Sequence, residues 1–365
     1  MLWLRRIAGV CLAAGSLCWL TSCGGPTCRP VTLGAASFAA SGTLSFPAQA
    51  VDPLTTYDFA GNTDPVLDPS VIRAGSTYYA FSTDVASAAY SLPIRCSTDK
   101  VNWTLCGSVF PHGAPSWASQ LVPGIQGLWA PDISYFNGEY HVYYAGSTFA
   151  SQRSFIALAT NKTLDSSDPH YKWVDRGPVM VSNPGDNFNA IDPTLLVDRD
   201  GTVWMTYGSS HTGIKQRQVD PATGQLIVAN CTCYSLATRP GVKGNPIEGP
   251  SLVRHGNFYY LFVSMDYCCA NFNTTIAYKE AVGRSTSFHG PFVDANGTAM
   301  MNGGGTVLLE EDSAWTAPGG GTAYIDSSTG ESLIIFHAHD SSQSETPYQW
   351  VKSLKWVNDW PVIAN

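Results

Sequence analysis

Residues 245–264 read NPIEGPSLVRHGNFYYLFVS. A short apolar run ends at a Gly-containing turn, Gly256-Asn257, and an aromatic and β-branched run follows from Phe258 to Val263. Two such runs joined by a tight turn are the marks of a β-hairpin. A lone carboxylate, Glu248, stands at its mouth between Ile247 and Gly249-Pro250, in a chain whose charged residues are only 13%.

The same phrase recurs. Asp68 opens DPSVIRAGSTYYAFST, Asp132 lies in LWAPDISYFNGEYHVYYAGS, and Asp192 opens DPTLLVDRDGTVWMTYGS. A fainter fifth copy, GGGTAYIDSSTGESLIIFHAHD, runs from Gly319 to Asp340. Asp68, Asp132, Asp192 and Glu248 are 64, 60 and 56 positions apart. Further strand-like pieces, FIALAT, KWVDRG and TIAYKEAVGRS, lie between the hairpins, so four strands fit each interval. Helical periodicity is nearly absent. Five repeats of about four strands predict an all-β, five-bladed β-propeller, and two stacked sandwiches would not give this period. The expected domain spans residues 53–365. If the first strand of each hairpin lines the central channel, Asp68, Asp192 and Glu248 converge at one mouth.

Composition agrees with a turn-rich β protein: 34 Gly, 23 Pro and 12% aromatics in 365 residues. The net charge of −8 and the lack of a Lys/Arg cluster exclude nucleic acid as a partner. The start, MLWLRRIAGVCLAAGSLCWLTSC, has a basic then apolar signal-peptide layout. Its end, Leu20-Thr21-Ser22-Cys23, resembles a bacterial lipobox. Residues 1–22 are therefore expected to be a lipoprotein-type signal peptide cleaved before Cys23. Residues 23–52 read as a flexible tether. The mature protein is expected outside the cytoplasm, periplasmic, on the cell surface or secreted. It would meet a membrane only through a lipid anchor, and a monomer is expected. Export permits disulfides. Cys96 and Cys106 could bridge a hairpin, while Cys231, Cys233 and Cys268-Cys269 leave disulfide and metal readings open.

Crowded carboxylates repel, and apolar neighbours such as Leu67, Ile191 and Ile247 disfavour charge, so at least one acid should carry a raised pKa. A protonated carboxyl facing an ionised one suits glycosidic bond cleavage. The longer reach of Glu248 makes it the expected proton donor, with Asp68 and Asp192 charged. Turn chemistry suffices for Asp52, Asp165 and Asp168. It does not require an acid at matched places in several blades.

The set LDPSVI, LWAPDIS, NAIDPTLLVD, IEGPSLV, DYCCANFNTT and AVGRS resembles glycoside hydrolase family 43, most of all its endo-arabinanases, from about Asp64 to Pro361. The resemblance implies a five-bladed propeller that cleaves α-1,5-linked arabinan, a plant cell-wall polysaccharide, with inversion. It implies Asp68 as general base, Asp192 as pKa tuner and substrate-positioning residue, and Glu248 as general acid. It also implies a calcium ion in the channel near His337 of FHAHD. Trp129 and Phe149 are candidate sugar platforms, Asn189 offers an amide to a hydroxyl, and Arg284 could pair with a catalytic carboxylate. Asp132 reads as structural. Leu67, His211 and Gly320 depart from the usual pattern near the cleft, which leaves endo against exo action open. The rival expectations are an exo-acting α-L-arabinofuranosidase or β-xylosidase of the same family, and a non-catalytic glycan-binding lipoprotein.

Overall fold

Each repeated hairpin forms the first two strands of its own sheet in the computed structural model, which describes residues 60–84, 88–268, 277–340 and 346–364. The expected leader, the tether and residues 53–59 lie outside the described residues. Blade 1 holds β1 (Ala60–Gly61), β2 (Ser70–Ala74), β3 (Thr77–Phe81), β4 (Ser91–Ser97) and β5 (Asn102–Phe110). Blade 2 holds β6 (Leu128–Phe136), β7 (Glu139–Gly146), β8 (Ser154–Asn161) and β9 (Val174–Ser182). Blade 3 holds β10 (Thr194–Val197), β11 (Val203–Tyr207), β12 (Ile214–Val219) and β13 (Tyr234–Ala237). Blade 4 holds β14 (Ile247–His255), β15 (Phe258–Met265), β16 (Lys279–Ser285) and β17 (Thr306–Leu309). Blade 5 holds β18 (Trp315–Ile325), β19 (Ser332–Asp340), β20 (Pro347–Val357) and β21 (Trp360–Ile363). Successive strands pair antiparallel within every blade, and β1 adds in parallel to β5. The five sheets form the five-bladed β-propeller that the repeat predicts.

Turn chemistry sets the hairpins. Between β6 and β7, Asn137 and Gly138 are both left-handed (φ +50° and +75°), the two-residue turn whose twist matches the flanking strands. The apolar runs then pack sheet against sheet. Phe81, Leu92, Val142, Tyr144 and Phe155 fill the space between blades 1 and 2, and Phe262, Trp315, Phe336 and Trp350 that between blades 4 and 5. Cys96 and Cys106 are bridged between β4 and β5, with Cα atoms 5.9 Å apart. Cys231, Cys233 and Cys268 are also disulfide-bonded, which removes the metal reading for them.

The first strands of the blades are neighbours around the axis. Polar side chains stitch one blade to the next. Ile133 N–H donates to Ser70 Oγ (3.0 Å), Leu195 N–H to Asp132 Oδ2 (3.1 Å), Gly249 N–H to Asp192 Oδ2 (3.1 Å) and Ala323 N–H to Ser251 Oγ (3.1 Å). The last seam, from blade 5 to blade 1, shares no strand among the described residues. Two backbone bonds cross it, Val66 N–H to Pro347 O (2.9 Å) and Gln349 N–H to Thr63 O (2.8 Å). Side chains do the rest: Arg73 pairs with Asp326 at 2.9 Å, and buried Glu331 accepts from Tyr78 Oη (2.7 Å) and from Lys100.

Glu331→Ala leaves the Tyr78 hydroxyl and the Lys100 ammonium without their acceptor inside the seam. The expected cost is about 1–3 kcal/mol in urea unfolding. Arg176→Ala, which breaks the more exposed Arg176–Glu139 pair, should cost about 1 kcal/mol or less. Equal midpoints for Glu331→Ala and the parent protein would show that the seam does not need this carboxylate.

Candidate active site

One backbone feature recurs in all five blades. Asp68, Ala130, Asp192, Gly249 and Gly320 have φ of +47°, +42°, +54°, +54° and +57°. All five line one cavity on the axis, together with Pro131, Pro193, Pro250, Gly321 and Thr322. A left-handed residue in or just before the first strand thus faces the axis in every blade. This corrects the alignment of acids read from the sequence. Asp68 and Asp192 share the repeat position, Glu248 stands one residue before it, and Asp132 two residues after. An Asp tolerates this conformation better than most side chains, although the turn still costs about 1–3 kcal/mol.

Asp68 Oδ2 accepts from Thr83 Oγ1 (2.7 Å), which in turn accepts from Ala130 N–H (2.9 Å). The Asp68 side chain keeps 31% of its surface open to the cavity and is enclosed elsewhere. Burial raises its carboxyl to about 6, opposed by the Thr83 bond and assisted by the Glu248 charge. Burial also pushes Asp192 well above the usual carboxylate range, and the charges of Glu248 and Asp68 push the same way; one Gly249 N–H opposes them. Glu248 is raised by burial and restrained by two hydroxyl donors, Ser209 Oγ to Oε2 (2.7 Å) and Tyr278 Oη to Oε1 (3.0 Å). Asp192 lies between two like charges with fewer donors and is raised along with Glu248, so the two titrate as a pair that shares a proton, in place of a fixed charge on Asp192.

His337 is 1% exposed and held neutral, its pKa lowered by burial to about 3. Its Nδ1 accepts Asp68 N–H at 3.1 Å, which places the ring proton on Nε2. That Nε2 is buried without a partner. The described residues hold no group of three His, Cys, Asp or Glu side chains suited to a metal ion. His337 thus turns an N–H toward its surroundings. It suits the water shell of an ion and not direct coordination.

The structure separates the remaining candidates. Trp129 is half-buried on β6 immediately before cavity-lining Ala130. Phe149 is 44% exposed beyond the same end of β7, its N–H donating to Gln126 Oε1 (2.7 Å). Asn189 is buried, and its Oδ1 accepts from Ser154 Oγ (2.8 Å) and Ser182 Oγ (3.4 Å); it ties blade 2 to the approach to blade 3 instead of offering its oxygen to the cleft. Arg284 pairs with Tyr260, four positions along β15 from Ser264, the partner of Glu248. Its guanidinium lies over the rings of Phe258 and Trp360 and donates to Asn358 O and Asp359 O. The distance along the strand removes it from the carboxylates. Asp132 is the interblade stitch described above. His211 is exposed in a turn with two left-handed residues, Ser210 and His211 (φ +51° and +44°), pinned by the Asn245 amide beside Ser209. Thr83, Ser209, Ser264, Tyr278 and Glu280 are site residues that pattern reading missed. The signal for Glu280 was present: a lone carboxylate inside an apolar strand, AYKEAVG.

A closed propeller with three desolvated carboxylates around an axial cavity has the paired acidic groups that glycosidic bond cleavage uses. The chain belongs to Glycosyl hydrolases family 43, whose pattern matches residues 63–361. It is 38% identical over 305 residues to the "Extracellular endo-alpha-(1->5)-L-arabinanase 1" of Bacillus subtilis (strain 168), covering 83% of this chain and 89% of that protein. It is 34% identical over 308 residues to the "Extracellular exo-alpha-(1->5)-L-arabinofuranosidase ArbA" of Cellvibrio japonicus (strain Ueda107), covering 82% and 86%. The solved "GH43 Endo-Arabinanase from Bacillus licheniformis" superposes with a TM-score of 0.75 at 38% identity, covering 84% of this chain and all of that one.

Proposed function

We propose that the protein is an exported endo-acting hydrolase of α-1,5-linked arabinan that inverts the anomeric carbon. The observation that carries this reading is the carboxylate trio: Asp68 in the axial ring, with Asp192 and Glu248 coupled through the Gly249 turn. Asp68 acts as general base and takes a proton from the attacking water. Its open surface and its Thr83 bond favour the ionised form that a base needs. Glu248 delivers a proton to the leaving glycosidic oxygen. The Ser209 and Tyr278 hydroxyls hold it in place and stabilise the carboxylate left behind. Asp192 raises the affinity of Glu248 for that proton by like-charge repulsion. Trp129 and Phe149, at the cavity end of blade 2, are positioned to stack on sugar rings.

Arabinan as substrate and location outside the cell are supported by the named activities of the relatives and by the leader. Debranched linear arabinan should yield a ladder of oligosaccharides. Release of monosaccharide alone would establish the exo reading, cleavage of xylan in preference to arabinan the xylosidase reading, and binding without cleavage a glycan-binding protein. Anchoring at Cys23 predicts detergent-phase partitioning that Cys23→Ser abolishes; a parent protein in the aqueous phase would exclude the anchor.

The charge arrangement predicts the pH profile. Glu248→Gln should lower kcat/KM by about 10²–10⁴-fold, the contribution of a general acid. In Asp192→Asn the like charge is gone, so the pKa of Glu248 falls and the alkaline limb of kcat/KM moves to lower pH. A limb that stays in place or moves upward would contradict the tuning role. For calcium, the residues fit a hydrated ion whose waters meet His337 Nε2, and such an ion would supply positive charge that favours ionised carboxylates. Calcium added after chelation should then raise the melting temperature, an effect lost in His337→Phe. No shift on addition would exclude the ion.

A further inference from the structure

The turn between β11 and β12 of blade 3 carries Ser209, one of the two hydroxyl donors to Glu248. Its backbone is strained. Gly208 and Gly213 have φ of +123° and +82°, and between them Ser210 and His211 are left-handed as well (φ +51° and +44°). Two such residues in succession persist only where the surroundings hold them.

The grip comes from the segment that enters β14 of blade 4. Ser210 N–H donates to Ile247 O (2.9 Å), and the Asn245 side-chain amide donates to Ser210 O and to His211 O (3.2 Å each). At the far end of the turn, Lys215 Nζ donates to Thr212 O (3.0 Å) and Ser235 Oγ (2.8 Å). Three consecutive carbonyls, those of Ser210, His211 and Thr212, thus each meet a side-chain donor.

The direction of the Asn245 amide is set by its partners. Its Oδ1 accepts from Arg239 N–H (2.5 Å), a group that can only donate, and from Thr238 Oγ1 (3.0 Å). The nitrogen therefore faces the two carbonyls, and both of its hydrogens are used. Asn245 is itself firmly rooted. Ile247 N–H donates to Asn245 O (2.9 Å), and Arg239 Nη1 donates to Pro246 O (3.1 Å). Arg239 and Lys279 both pair with Asp266, at 2.5 Å and 3.0 Å, so the charges around Asn245 are matched among themselves. The remaining groups that face Glu248 come from other elements: Asp192 and Asp68 just before β10 and β2, the Tyr278 hydroxyl just before β16, and, beyond Asp68, neutral His337 on β19. None of them depends on the turn that carries Ser209.

We propose that Asn245 is a positioning residue for the proton-transfer step, whose amide clamps the Ser209–Gly213 turn against the entry to β14 and so keeps the Ser209 hydroxyl aimed at Glu248. Without the amide the left-handed pair relaxes, Ser209 withdraws, and Glu248 loses one of its two hydroxyl donors. A donor to a carboxylate favours its ionised form, so its loss raises the affinity of Glu248 for a proton. The alkaline limb of kcat/KM then moves to higher pH. This rests on Glu248 being the general acid.

The test compares Asn245→Gly, Ser209→Ala and the double variant with the parent enzyme on linear arabinan, reading kcat/KM against pH. Glycine accepts the φ of +48° at this position and deletes only the amide. Asn245→Gly should lower kcat/KM about tenfold to a hundredfold, the range for a slightly misplaced catalytic group. Its alkaline limb should move up by about one pH unit, the worth of one hydrogen bond to a charged group. Ser209→Ala should move the limb the same way and at least as far. The double variant should match Ser209→Ala, because the clamp then has nothing left to position. An unmoved limb in folded Asn245→Gly overturns the proposal. A limb in the double variant that moves by the sum of the two single shifts also overturns it, since Asn245 would then act on Glu248 by another route. Asn245→Ala deletes the same amide on a stiffer backbone and decides the matter if Asn245→Gly does not fold. Failure of the underlying reading shows separately, as full activity in Glu248→Gln.

Discussion

The axial turns are the constraint on which the site depends. Five chain segments line the channel, and each carries a left-handed residue in or just before its first strand. The left-handed residue kinks the backbone, with the ladder register shifting around it in β6, β14 and β18, and its side chain, where it has one, faces the axis. Ala130, Gly249 and Gly320 use the turn without adding chemistry. Asp68 and Asp192 add carboxylates at the place where the backbone already converges. Glu248 reaches the same region from one residue earlier, through the longer side chain and the two hydroxyls that receive it. The fold therefore brings three acids together without a loop devoted to the purpose. The cost of holding them is spread over five blades that are stitched by side-chain bonds.

Close packing of these acids is unfavourable for stability, and this is what makes them useful. Each carboxyl is raised by burial, and two are raised further by like charge. Thr83, Ser209, Tyr278 and the Gly249 amide each lower one of them again. The balance differs from residue to residue: an acid open to the cavity, an acid between two charges, and an acid with two hydroxyl donors. Separate chemical roles follow from separate solvation and not from residue type alone, since Asp68 and Asp192 are the same amino acid in the same backbone turn.

The architecture was legible because a propeller writes its period into the chain. Each blade must supply its own hairpin, so the apolar run, the Gly turn and the aromatic run had to recur. The acids were legible because they sit beside the punctuation of that repeat. Register was not. Asp132 and Glu248 looked equivalent to Asp68 until the φ angles showed one lying two residues late and the other one residue early. Proton placement was not legible either, because Ser209 and Tyr278 are 39 and 30 positions away from Glu248 in sequence and carry no motif. The place of Arg284 was not legible for a related reason. Proximity in sequence to a catalytic residue or a conspicuous motif does not say which end of a strand a side chain occupies.

The ring closes at the seam between blades 5 and 1, where no strand is shared among the described residues, and Asp68, the proposed base, sits on it. Asp68 opens blade 1, yet its N–H is held by His337 and its carboxylate lies against Gly320, both from blade 5. The first small parting of these two blades takes the base out of register while every sheet remains intact. Catalytic competence is thus tied to the least covalently secured joint of the molecule, and hydrolysis reports ring closure more sensitively than any measure of β content.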